Sequence, residues 1–90
     1  MKKYLIEREI PGVHELKGEA LKGAAATSNA ALAQLGPKVQ WIQSFVTPDK
    51  TFCLYLAEDE DAVREHAKLS GFPANKITEI SGVIDPTTAG

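Results

Sequence analysis

One cysteine, Cys53, is the only thiol in the chain, so no disulfide can close within it. Domains of this size often supplement a thin core with disulfides, a metal or self-association. With the first excluded, a bound ion or a second copy is expected to do that work. Basic residues are also scarce: ten Lys and Arg stand against twelve Asp and Glu, for a net charge of −2. A basic stripe able to track a phosphate backbone is absent, and nucleic acid is excluded as an expected partner. No apolar run approaches the roughly 18–20 residues that a membrane span requires. The start, Met1-Lys2-Lys3-Tyr4-Leu5-Ile6, runs at once into Glu7, Arg8 and Glu9, without the apolar core of an export signal. The expected location is the cytoplasm, where a lone cysteine stays reduced.

What is present is a clear succession of periods. Residues 1–90 read as a single domain. Residues 3–10 alternate as a strand, with Tyr4, Ile6 and Ile10 on one face and Leu5, Glu7 and Glu9 on the other. Pro11-Gly12 closes it. From about Glu15 to Leu35 the period becomes helical, with Leu21, Ala24, Ala25, Ser28, Ala31, Leu32 and Leu35 at spacings of three and four. Gly36-Pro37 stops that helix. Val39–Thr47 and Thr51–Ala57 read as strands joined by the turn Pro48-Asp49-Lys50. The acidic run 58–61 opens a second helix that Asp59 is placed to cap; its buried stripe is Ala62, Val63, His66, Ala67 and Ser70. Gly71 ends it, and a last strand is expected over Lys76–Ile84. The order β-α-β-β-α-β predicts an α+β, ferredoxin-like βαββαβ sandwich, with a four-stranded antiparallel sheet and two helices on one face.

Two helices leave the other face of the sheet uncovered. Alternation predicts Tyr4, Ile6, Ile42, Val46, Phe52, Leu54, Leu56, Ile80 and Ile84 beneath the helices. It leaves Glu7, Glu9, Trp41, Gln43, Phe45, Cys53, Tyr55, Glu79, Ser81 and Val83 on the open face. A face with that aromatic content predicts a homodimer formed sheet to sheet about a two-fold axis, or a ligand cleft. Glu7, Trp41, Gln43, Cys53, Tyr55 and Glu79 are its candidate ligand-binding residues. Glu7 and Glu79 are expected to approach each other there, where paired carboxylates share a proton or recruit a cation. His66, on the buried stripe of the second helix, is the candidate metal ligand or proton carrier, with a hydrogen-bonded core histidine as the plain alternative. Cys53, placed away from the helices, is not expected to pair with His66 as a nucleophile.

With these residues in view, the chain resembles a family of small bacterial dimeric ferredoxin-like proteins, a domain of unknown function with some nickel-binding members. The resemblance is carried by Tyr4-Leu5-Ile6-Glu7-Arg8-Glu9, Gln40-Trp41-Ile42-Gln43-Ser44-Phe45-Val46-Thr47 and Phe52-Cys53-Leu54-Tyr55-Leu56-Ala57. Val63-Arg64-Glu65-His66-Ala67 and Val83-Ile84-Asp85-Pro86 extend it nearly end to end. It implies a dimer and a divalent metal such as nickel as cofactor. Nickel-binding members carry a His-Ser-His pattern in the strand after the tryptophan; here those positions are Gln43 and Phe45, leaving His66 as the matching imidazole. The functional expectation is a small dimeric ligand- or metal-binding protein. The alternative is a cofactor-independent enzyme of the dimeric ferredoxin-like type, with His66 or a glutamate moving a proton.

Overall fold

Along the first strand, β1 (Lys2–Glu9), Tyr4, Ile6 and Arg8 are buried while the residues between them are half-buried. That period of two sets the architecture seen in the computed structural model, which describes residues 1–90. A 3-10 turn at Val13–Glu15 follows, and the helix α1 spans Glu19–Leu35. It begins four residues later than expected because Gly18, at φ 55°, takes a backbone conformation that breaks a helical run. Ser28, Ala31 and Leu35 form its buried stripe, flanked by the half-buried Ala24, Ala25 and Leu32. β2 (Val39–Val46) and β3 (Lys50–Ala57) form the expected hairpin, closed by Thr47 N–H donating to the Lys50 carbonyl at 2.9 Å.

The second helix, α2 (Glu60–Ser70), is capped as its sequence indicates. The Asp59 carboxylate accepts from Ala62 N–H at 2.8 Å, and Gly71 ends the helix at φ 78°. β4 is shorter than expected, Lys76–Ile80. Ser81, Val83 and Ile84 lie beyond it in no strand, and all three are exposed. No helix is long and apolar enough to cross a membrane.

All strand pairs are antiparallel, in the order β2-β3-β1-β4. The fold is therefore the expected α+β, ferredoxin-like sandwich. Its core joins Tyr4, Ile6, Val39, Cys53, Tyr55 and Ala57 of the sheet to Leu35 of α1 and to Ala62 and Val63 of α2. Only 16 of the 90 residues are buried, a thin core even for this size.

The register corrects the assignment of faces. Directly opposed residues share a face, and Tyr4 opposes Tyr55, Ile6 opposes Cys53 and Arg8 opposes Thr51. Tyr55 and Cys53 thus lie beneath the helices, and Phe52, Leu54 and Leu56 on the open face, the reverse of the expectation. In β2, Trp41 opposes Tyr55 but Gln43 opposes Leu54, so Ile42 is the extra residue of a bulge. Trp41 consequently faces the helices, whereas Ile42, Gln43 and Phe45 stay outside. Glu79 opposes Tyr4 and Glu7 opposes Lys76, so these two carboxylates stand on opposite faces and do not meet. Ile80, opposite Lys3, is on the open face as well.

Candidate ligand-binding site

Between α1, the edge of the sheet near β2 and the loop after α2 lies a cleft of about 440 Å³. Its lining is mostly apolar: Val13, Leu16, Leu21, Ala24 and Ala25 from the α1 side face Trp41 and Val46 from the sheet. The alanines of α1 create the space, because a longer side chain at either position would fill it. Half the expected ligand residues are gathered here, although on the helix side of the sheet: Trp41, Cys53 and Tyr55 all line the cleft. Glu7, Gln43 and Glu79 do not. Glu7 pairs with Lys50 at 3.7 Å and Glu79 with Lys2 at 4.0 Å, each at the protein surface.

Arg8 is the residue that alternation places here and that its charge hides. It shares the face of Tyr4 and Ile6, and the folded chain leaves it 2% exposed. Its Nη1 donates to the Pro73 carbonyl at 2.7 Å, and its guanidinium carbon lies 5.8 Å from the Phe72 ring centre and 6.0 Å from that of Tyr55. Nη2 has no hydrogen-bond partner in the protein, and none of the ion pairs includes Arg8. Arg8 is also the only charged side chain lining the cleft. A buried, unpaired cation costs several kcal/mol of solvation.

Beside it runs a short polar chain. Ser28 Oγ lies 3.5 Å from the Tyr55 hydroxyl and 3.2 Å from His66 Nε2. The same nitrogen lies 3.3 Å from the Ser28 carbonyl, which can only accept, so Nε2 carries the proton. His66 is fully buried, packs against Tyr55 with ring centres 5.0 Å apart and planes tilted by 53°, and has no partner for Nδ1. Burial pushes its pKa down, with the nearby Arg8 charge acting in the same direction against the Ser28 hydrogen bond. Burial pushes the Tyr55 hydroxyl up, opposed by Ser28 and Arg8. Cys53 Sγ donates to Thr51 Oγ1 at 3.5 Å, and Trp41 Nε1 to Ser44 Oγ at 3.0 Å.

For a metal, the donor set is sparse. No three His, Cys, Asp or Glu side chains are grouped to hold an ion. His66 turns Nε2 toward Ser28, and His14 holds Nδ1 2.7 Å from the Pro48 carbonyl at the surface.

The crystal structure of SCO4226 from Streptomyces coelicolor A3(2) matches this fold with a TM-score of 0.76, covering 91% of this chain and 99% of that one at 18% identity. No curated protein matches the chain. Over residues 4–80 the sequence matches the family of nickel responsive proteins like SCO4226, and the chain belongs to that family.

Proposed function

We propose that this chain is a small-molecule-binding protein that works as a homodimer, with the cleft behind Arg8 as its ligand site. The observation that carries the reading is the buried, unpaired Arg8 at the wall of an otherwise apolar cleft. Concave apolar space with a few convergent polar groups is the usual form of a ligand site. Binding is favoured over proton-transfer catalysis because neither carboxylate nor imidazole lines the cleft. His66 touches the lining only through Ser28 and Tyr55.

Nickel is in the family's name, but the residues here do not fit it. The strand positions that hold imidazoles in the nickel-binding pattern are Gln43 and Phe45, and the buried His66 has no second donor of its kind beside it. The proposed ligand is therefore organic.

The dimer is supported by the open face. Leu5, Phe52, Leu54 and Leu56 form its half-buried centre, and Phe45 and Ile42 at the edge are about half exposed. Lys3, Glu7, Glu9, Lys50 and Lys76 ring it with both charge signs, which suits a self-complementary two-fold contact.

Titration with 1-anilinonaphthalene-8-sulfonate tests the cleft. Its fluorescence is expected to rise with one site per protomer and to be lost in Ala25→Trp, which fills the space while leaving the open face intact. Undiminished binding by a folded Ala25→Trp protein would overturn the assignment.

A further inference from the structure

We infer that the cleft takes a monocarboxylate with an apolar tail, its acid group held by Arg8; this rests on the cleft being the ligand site. Arg8 presents a planar fork, and the fork matches a carboxylate with two parallel N–H donors. One nitrogen is already used on the Pro73 carbonyl, which fixes the plane, and Nη2 is left with its donors unused. The Tyr55 and Phe72 rings, with centres 6.0 and 5.8 Å from the guanidinium carbon, add cation–π attraction that helps hold it in place. Thr51 is the cross-strand partner of Arg8, and its hydroxyl accepts from Cys53, leaving its own proton to donate.

Charge decides the class of anion. The cleft holds a single positive group and no other charge. A monocarboxylate brings the site to neutrality, whereas a phosphate dianion leaves a net negative charge among apolar walls, which is costly. The rest of the ligand meets Val13, Leu16, Leu21, Ala24, Ala25 and Trp41, none of which offers a charge or, apart from the indole N–H, a donor. That indole N–H is already given to Ser44. A linear or aryl tail without polar groups suits such a wall. At about 440 Å³ the cleft lies toward the small end of ligand pockets. The fitting compounds are medium-chain fatty acids and arylalkanoic acids.

Displacement of the anilinonaphthalene probe near neutral pH by octanoate, 1-octanol, hexanoate and phenylphosphate tests the inference on the unmodified protein. Octanoate is expected to bind at least tenfold more tightly than 1-octanol, and hexanoate more weakly by roughly three- to fourfold per methylene lost. Phenylphosphate is expected to be the poorer anion. Arg8→Met is expected to bind octanoate and 1-octanol alike, and Arg8→Lys to keep part of the preference. Equal affinity of the two eight-carbon compounds in the unmodified protein, or tighter binding of phenylphosphate, would overturn the carboxylate assignment while leaving the cleft as a ligand site. If neither the probe nor any of these compounds binds, both readings fall together.

Discussion

Ser28 on α1 and His66 on α2 meet twice at one nitrogen: His66 Nε2 lies 3.2 Å from the Ser28 hydroxyl and 3.3 Å from its carbonyl. The two helices are thereby latched by a neutral imidazole whose other nitrogen has no partner. Such a latch is sensitive to protonation, since a charged ring would have to place a second N–H where nothing accepts it.

The first consequence is a pH dependence of stability. The folded pKa of His66 lies below its unfolded value of 6.5. Above 6.5 the ring is neutral in both states and its contribution is fully present. As pH falls below 6.5 the unfolded chain binds a proton that the folded one refuses, so stability declines until the folded pKa is passed. The slope cannot exceed about 1.4 kcal/mol per pH unit from this one group. Urea denaturation between pH 7.5 and 5 is expected to show the decline in the unmodified protein and a flatter profile in His66→Gln. Parallel profiles would mean that other groups cause it.

Arg8 gives a prediction of the opposite kind. Met is similar in length and carries no charge, so Arg8→Met trades one hydrogen bond to Pro73 for relief of an unpaired buried cation. The ligand-free variant is expected to gain roughly 1–3 kcal/mol, as buried charges replaced by packed apolar groups commonly do. Thermal denaturation without added acid checks this, and a clear loss of stability would show that the guanidinium is already satisfied. A residue that weakens the empty protein is the mark of a site kept for binding rather than for folding.

The proposed dimer rests on the opposite face of the sheet, where Leu54 lies between Leu5 on β1 and Gln43 on β2. Light scattering is expected to give twice the 9.7 kDa chain mass for the unmodified protein and a single chain for Leu54→Glu. The charge points outward from the core, so circular dichroism of the variant is expected to keep its folded spectrum. A monomeric unmodified protein at every concentration would sink the dimer.

The element order, the Asp59 cap and the glycine stops at Gly36 and Gly71 were legible because each depends on neighbours in the chain. The facing of the sheet was not. In β3 both alternating sets are apolar, Phe52, Leu54 and Leu56 against Cys53, Tyr55 and Ala57, so hydrophobic period alone does not say which one the helices cover. The helices cover the set that carries Tyr55, whose hydroxyl meets Ser28 of α1. Arg8 had the right parity for burial from the start, two residues after Ile6, but a charged residue reads as exposed unless a partner is known. At Trp41 the alternation itself is interrupted, and a bulge leaves no composition signal in an edge strand.

That bulge can be tested by deletion. Ile42 is the residue without a cross-strand partner, so removing it is expected to join Trp41 to Gln43 in an uninterrupted alternation and leave both on their present faces. Removing Ser44 instead gives the same residue count, but it absorbs the bulge by bringing Ile42 opposite Leu54 and Gln43 opposite Cys53, under the helices. The Ile42 deletion is expected to cost less than about 2 kcal/mol in urea and to keep the tryptophan emission of the unmodified protein. The Ser44 deletion is expected to cost clearly more, because it puts the Gln43 amide beneath the helices and removes the hydroxyl that accepts from the Trp41 indole. Equal losses for the two deletions would mean that Ile42 is held by contacts that the register does not reveal, and that the bulge itself secures the position of Trp41.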